Sequence, residues 1–276
     1  MAYAFPGEGA LDYYPCTYGA SRLMFRGPRR SLDRPYVAFL GGTETYGKYV
    51  PDPFPDLVED EIGYASVNLG CVNAGLDVYL AEPAVIEVAA GAEAVVLQVV
   101  GAANLSNRYY TVHPRRNDRF VAATPLLKAL YRDVDFTEFN FTRHMLTTLE
   151  GQSKDRFELV AEELRRAWVD RMTALLGQLP KRTVLQWMAD RPPQPKSHRK
   201  GLAGDPVLVD RAMVTDVAPK AGSFVEAVAS AEARIASLEG MAFAALEALA
   251  AAALPGPSVH RDVAGKLVQA LDDILK

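Results

Sequence analysis

Three short segments bring hydroxyl, amide and imidazole side chains to points where the chain turns. They are Gly41-Gly42-Thr43-Glu44-Thr45-Tyr46-Gly47, Gly101-Ala102-Ala103-Asn104, and Pro257-Ser258-Val259-His260, the last followed by Ala264-Gly265. These groups accept, donate and carry protons, and the glycines add backbone N–H groups that a small ligand can approach closely. Two basic stretches stand near them. One holds Arg108, Arg115, Arg116 and Arg119; the other holds Arg191, Lys196, His198, Arg199 and Lys200. Guanidinium groups bind phosphate, sulfate or carboxylate in a planar, two-pronged way, so a ligand with an anionic group is expected. The competing reading pairs these arginines with Asp118, Glu138 and other carboxylates. Cys71 is an intrinsically better nucleophile than a threonine, but a free cysteine beside a strand is read as core. His113 and His144 lie near arginines, and His144 is read as structural.

The elements that would position these groups alternate. Val37–Leu40 is a short apolar run ending in a double glycine, which suits a buried parallel strand and a tight turn. Asp56–Ile62 reads as a short helix, Ala65–Leu69 as a second strand ending at Gly70, and Glu82–Ala90 as a helix with Pro83 in its first turn. Ala94–Val100 is a third strand ending at Gly101. Residues 101–120 read as a long polar loop. Asp135 with Glu138 suggests a helix start of capping-box type. Ser153–Leu179 is the clearest helix: Phe157, Val160, Leu164, Trp168, Met172 and Leu175 form one apolar stripe. Its other face, with Glu162, Glu163, Arg165, Arg166 and Asp170, reads as solvated. Thr183–Met188 is a fourth strand. Ala189–Asp205 is Pro-rich and basic, and a loop of that length inside a compact domain is often functional. Residues 208–219 read as helix, Phe224–Ala227 as a fifth strand, and a last helix runs from Asp262 to Ile274. Strand, turn and helix in this order imply βαβ units and a parallel sheet. In such sheets ligands bind outside the carboxyl ends of the strands, where the first two glycine segments lie.

Bulk properties agree with a globular chain. The 276 residues are 49% hydrophobic and 23% charged, enough for a large core. A net charge of −4 argues against a general nucleic-acid binder. Cys16 and Cys71 form neither a metal-type spacing nor a disulfide framework, so no metal or cofactor is expected. No run of about 18 apolar residues suggests a membrane span, and residues 1–14 lack signal-peptide features. A cytoplasmic protein is the expectation. Residues 1–35 read as an arm packed on one domain spanning 36–276.

The order of the motifs resembles the SGNH, or GDSL-like, hydrolase superfamily. That family carries Gly-Asp-Ser-x-Thr-x-Gly after strand one, a glycine after strand two, Gly-x-Asn-Asp after strand three and Asp-x-x-His before the last helix. The likeness covers roughly residues 36–276. It implies a flavodoxin-like, three-layer α/β/α fold around a five-stranded, mostly parallel sheet, and hydrolysis or transfer of an ester-linked acyl group. The segments GGTETYGK (41–48) and HPRRNDRF (113–120) also resemble those of a bacterial family, a likeness that supplies no function.

Carried over residue by residue, the resemblance makes Thr43 the nucleophile, His260 the base, and Gly70 (Gly75 as runner-up) and Asn104 oxyanion donors. Gly42, Thr45, Gly101, Asn107, Arg108, Arg115 and Arg116 would line or brace the substrate site, with Asn107 a rival to Asn104 for the amide role. The departures are specific. Gly42 stands where the aspartate belongs, threonine replaces serine, and one extra residue separates Gly101 from Asn104. Pro257 replaces the carboxylate that would fix the imidazole tautomer and stabilise its cation. Thr43 has the required oxygen, but its χ1 is stiffer than that of serine. Two functions follow. One is an esterase or acyltransferase acting on an anionic, carbohydrate-linked ester. The other is a degenerate domain that binds an anionic glycan or metabolite without turnover. The distance between Thr43 and His260 discriminates between them.

Overall fold

The computed structural model describes residues 11–195, 201–236 and 238–276. Its centre is a five-stranded sheet in the order β2-β1-β3-β6-β7. The strands are β1 (Tyr36–Leu40), β2 (Ala65–Asn68), β3 (Ala94–Gln98), β6 (Thr183–Ala189) and β7 (Ser223–Val228), and every pairing is parallel. Counting only these five strands along the chain, the order is 2-1-3-4-5, the order of flavodoxin-like doubly wound sheets. All five residues of β1 and of β3 are buried, as a sheet covered on both faces requires.

The alternation of β1 divides the interior. Ala38 and Leu40 face one apolar layer, Val37 and Phe39 the other. The first layer packs on helices α3 (Leu76–Leu80), α4 (Pro83–Ala90), α6 (Thr142–Gln152), α7 (Lys154–Leu176) and α8 (Arg211–Val217). The second packs on α2 (Phe54–Ile62), α9 (Ala231–Ile235) and α11 (Pro257–Leu275). The expected three-layer α/β/α architecture is therefore present, and it is the one the SGNH resemblance implies. No helix among the described residues is long and apolar enough to cross a membrane.

Local chemistry explains the boundaries. The Ser153 side chain accepts from the N–H of Arg156 and starts α7, and Asp210 does the same for α8 through Met213. Gly63 ends α2 with φ 72°, the left-handed cap that glycine supplies without strain. Residues 11–35 carry Tyr18, Leu23 and Phe25 into the first apolar layer. There Arg26 is only 8% exposed, and its guanidinium donates to the carbonyls of Tyr46, Gly47, Val50 and Pro51.

Several expectations are corrected. Residues 101–120 are not merely loop. They contain β4 (Tyr110–His113) and the start of β5 (Arg116–Ala123), an antiparallel pair outside the main sheet. Tyr110 and Val112 point inward while Thr111 is exposed, a period-two signal masked by the surrounding arginines. Helix α3 was not foreseen, because its five residues are too few to show a period. Asp135 caps only a single 3₁₀ turn (Phe136–Glu138), and α6 begins at Thr142. The charged face of α7 is partly interior: Glu163 and Arg165 are 6% and 4% exposed, each held by ion pairs. The last helix starts at Pro257 rather than Asp262, which carries His260 into its first turn.

Candidate functional site

At the carboxyl ends of β1, β3 and β6 lies a cavity of about 590 Å³. A short helix, α1 (Thr43–Tyr46), brings Thr43 and Glu44 to its wall at the point where β1 ends. Gln98, the last residue of β3, fixes that helix. Its side-chain oxygen accepts from the N–H of Gly42 at 2.9 Å and from the Thr45 hydroxyl at 2.6 Å, and its amide nitrogen donates to Glu44 at 2.9 Å. With Gln98 pinned in this way, the Glu44 carboxyl is held on the cavity wall.

A chain of hydrogen bonds forms one side of the site. Thr142 donates to the Asn104 side-chain oxygen at 2.6 Å, and the Asn104 amide donates to the Asn73 carbonyl at 3.1 Å. The N–H of Asn73 in turn donates to the Thr43 hydroxyl oxygen at 2.9 Å. Asn73 adopts φ 57°, a left-handed conformation that asparagine tolerates better than most residues. Asp118, Phe141 and Arg143 join this side. Elsewhere the lining is mostly apolar: Met188 at the end of β6, Leu202, Pro206 and Val207, and Ala253 with Leu254.

Burial pushes the Glu44 carboxyl above its ordinary value, the negative charge of Asp205 adds to that shift, and the Gln98 hydrogen bond opposes it. Among the described residues no group of three metal-capable side chains comes together.

Of the residues expected at the site, Thr43, Gly42, Gly101 and Asn104 do line the cavity. Thr45 is 1% exposed and serves Gln98 from behind. His260 is 1% exposed and is not among the described lining residues. Its Nδ1 accepts from the backbone N–H of Phe54 at 3.0 Å, which leaves the proton on Nε2, and its ring stacks on that of Phe54. Burial, reinforced by the positive charge of Arg26, lowers its pKa to about 3. The imidazole is thus a neutral core group between α2 and α11. The loop that was to carry it to the strand ends is the first turn of a helix.

The remaining expectations also land elsewhere. Gly70 donates its N–H to the Asn68 side chain at 2.9 Å, and Gly75 donates to Asn117 at 3.1 Å, so neither N–H is free for an oxyanion. Both glycines are needed for close approach: a Cβ at 70 would lie 2.4 Å from the Tyr46 nitrogen, and one at 75 would lie 1.5 Å from the Asn104 oxygen. Asn107 braces its own turn, accepting from the N–H groups of Tyr109 and Tyr110. Arg108 is paired with Glu163 at 2.8 Å, away from the cavity. Arg115 and Arg116 are exposed and donate their backbone N–H groups to His113. In the second basic stretch, Arg191 lines a separate small pocket, and Lys196, His198, Arg199 and Lys200 lie outside the described residues. Of the arginines behind the anion-binding expectation, Arg108, Arg115, Arg116, Arg119 and Arg191 are not in the lining of this cavity, and Arg143 is the one described cation there.

Sequence reasoning missed Gln98, Asn73, Thr142 and Asp205. Gln98 had a legible signal: it is the one polar residue in the run Ala94–Val100. Asn73 and Asp205 had none, because only tertiary folding brings their loops to the strand ends.

Fold and cavity together describe a flavodoxin-like α/β protein with a partly polar cavity at the carboxyl edge of its sheet. By sequence, the chain belongs to the family described as Domain of unknown function (DUF6473), whose model matches residues 1–275. No curated protein matches it. Among solved structures it is similar to a carbohydrate esterase family 2 enzyme with a carbohydrate-binding domain from Corynascus thermopiles (Myceliophthora fergusii). That match has 10% identity and a TM-score of 0.45, covering 91% of this chain and 69% of the other. A Lactobacillus plantarum protein is similar at 15% identity and TM-score 0.41, over 87% and 97% of the two chains. A candidate SGNH hydrolase from Slackia heliotrinireducens is similar at 15% identity and TM-score 0.39, over 87% and 100%.

Proposed function

We propose that the cavity binds a small polyhydroxyl, carbohydrate-like ligand and holds it without acyl transfer. One observation carries this reading: the groups an acyl-transfer site would need are already committed inside the fold. The Thr43 oxygen accepts from Asn73, and the N–H groups of Gly42 and Gly70 are given to Gln98 and Asn68. The imidazole of His260 is buried against Phe54. A nucleophile without a base, facing donors that point elsewhere, lacks the preorganisation on which the chemistry depends. What the lining does offer is hydroxyls, amides and carboxyls on one side, with Phe141 and aliphatic side chains beside them. That mixture fits a ligand with many hydroxyls and an apolar ring face.

Ester hydrolysis is the second reading. It is favoured by the position of Thr43, which lines the cavity at the start of α1 after the first strand. Thermal melts with a panel of neutral and charged monosaccharides, run beside a panel of aryl esters, separate the two. The binding reading expects stabilisation by sugars, growing with the logarithm of concentration, and no turnover that depends on Thr43. Ester hydrolysis that disappears in Thr43→Val would overturn it in favour of acyl transfer.

A further inference from the structure

We propose that the smaller pocket beside the end of β6 binds a small oxyanion (phosphate, sulfate or carboxylate) edge-on against the guanidinium of Arg165. The pocket shares only Asp205 and Pro206 with the described lining of the larger cavity, and its occupancy does not depend on what that cavity holds.

The pocket, of about 40 Å³, lies between α7, the end of β6 and the segment leading into α8. That is roughly three times the least volume that holds one water, the scale of a small polyatomic ion. Arg165 of α7 forms part of its wall and is buried. Only one end of its guanidinium is used: Nη1 donates to Glu158 at 2.8 Å and to Glu162 at 3.1 Å. Nε is buried and donates to nothing among the described residues, and Nη2 makes no hydrogen bond among them. This unused edge carries two N–H groups in the fork that a carboxylate or phosphate fills with two oxygens. A buried N–H without an acceptor is costly, and so calls for one. The aspartates of the lining do not supply it. Asp210 accepts from the N–H of Met213 at the start of α8, and neither Asp205 nor Asp210 bonds to Arg165. Glu158 and Glu162 are about half exposed, so water screens the charge they bring to the other end of the guanidinium.

A second guanidinium is built into the same pocket. The Trp187 indole N–H donates to the Arg191 carbonyl at 2.8 Å and fixes the turn that leaves β6. Gly204, at φ 88°, makes room for the Arg191 head, which a Cβ at that position would strike. Arg191 pairs with Asp190 through Nη1 alone among the described residues. Two guanidiniums lining one small pocket repel each other. A neutral acceptor such as water leaves that repulsion in place, whereas an oxyanion replaces it with charge-assisted contacts.

Titration calorimetry of inorganic phosphate, sulfate and acetate into the full chain tests this, in wild type, Arg165→Lys and Arg191→Gln, with ionic strength held constant by sodium chloride. Arg165→Lys keeps a cation for Glu158 and Glu162 and removes the forked edge. Melting curves verify that the variants fold. Arg191→Gln, at a side chain 27% exposed, carries the test alone if Arg165→Lys does not fold. Wild type is expected to bind at least one of the three anions saturably, at one site per chain. Each folded variant is expected to bind it at least about tenfold more weakly, the scale of one lost charge-assisted contact. Preference for phosphate or sulfate assigns the site to a tetrahedral group, and preference for acetate to a carboxylate; either bears the proposal out. The absence of saturable binding would overturn it. So would binding that a folded variant retains at wild-type strength, which puts the anion on other cations of the chain. No sugar enters the titration, so its failure leaves the polyhydroxyl reading of the larger cavity standing.

Discussion

The backbone N–H of Phe54 donates to Nδ1 of His260 across 3.0 Å, and the two rings stack with centroids 5.7 Å apart. This pairing joins the first residue of α2 to the first turn of α11. It turns the most reactive-looking side chain of the C-terminal region into a neutral hydrogen-bond acceptor of the core.

That neutrality sets a pH dependence. The His260 pKa is lowered to about 3 from 6.5, so below about pH 6.5 the unfolded chain binds a proton that the folded one refuses. Stability from this group is whole at neutral pH and falls as pH drops from about 6.5 toward 3. Asp56, on the same helix as Phe54, acts oppositely. Burial raises its pKa from 3.8 to about 6, so between those values the folded state holds the extra proton. Over pH 4–6 the two slopes oppose. Asp56→Asn is therefore expected to lose stability more steeply than wild type on acidification through that window, by up to about 1.4 kcal/mol per pH unit. Urea unfolding at half-unit pH intervals measures it; parallel profiles for the two proteins would contradict it.

Glu44→Gln is expected to melt at or above the wild-type temperature at pH 7.5. The Glu44 carboxyl is pushed up by burial and by Asp205, so its stabilising contribution is present at low pH and lost as pH rises through its folded value. A neutral amide of the same shape removes that loss. Scanning calorimetry at pH 4.5 and 7.5 tests this: the gain of the variant over wild type should be larger at the higher pH. A clear drop in melting temperature at pH 7.5 would show that the ionised carboxylate stabilises the fold.

Thr43→Val keeps the shape of the side chain and deletes the oxygen that takes the Asn73 N–H. The expected cost is about 1 kcal/mol in stability, with sugar affinity reduced roughly tenfold. Thr43→Ser retains the oxygen and is expected to stay within about 0.5 kcal/mol of wild type. Equilibrium unfolding of both variants, beside sugar titrations, checks the pair.

Arg26→Met removes the donor shared by the carbonyls of Tyr46, Gly47, Val50 and Pro51 while keeping much of the apolar stem. Leaving buried acceptors without partners is expected to cost about 3–5 kcal/mol, well above a surface arginine substitution. Since those carbonyls close α1, sugar binding should weaken as well. A loss below about 1 kcal/mol would mean that water replaces the guanidinium at little cost.

Much of the fold was legible because buried parallel strands announce themselves. Val37–Leu40, Ala94–Val100 and Thr183–Met188 are short apolar runs, and each matches an observed strand to within about two residues. The hairpin β4–β5 was not legible, since one inward face among arginines and a proline breaks the alternation on which such readings rest. The site was half legible. Thr43 and Asn104 sit where glycine turns leave the strand ends, and that follows from the order of the elements. His260 was misplaced by one helix boundary: with Pro257 as the first helical residue, the imidazole rotates inward to meet Phe54. Asn73 and Asp205 come from loops whose convergence depends on packing between distant segments, which local spacing does not encode.

The guanidinium of Arg26 also changes what residues 11–35 are to the rest of the chain. They add no strand to the central sheet, yet they enter its side as a docked peptide would: Phe25 and Tyr18 as apolar anchors, Arg26 as the plug in a ring of carbonyls. Ser21 adds a hydrogen bond to Glu82 at 2.9 Å. A peptide held by its own tether has an effective concentration on the order of millimolar, whatever the amount of protein in solution. Severed after residue 35, the same segment would have to compete as a free species. The loop 46–51 is thus a receptor whose occupancy is set by connectivity rather than by supply.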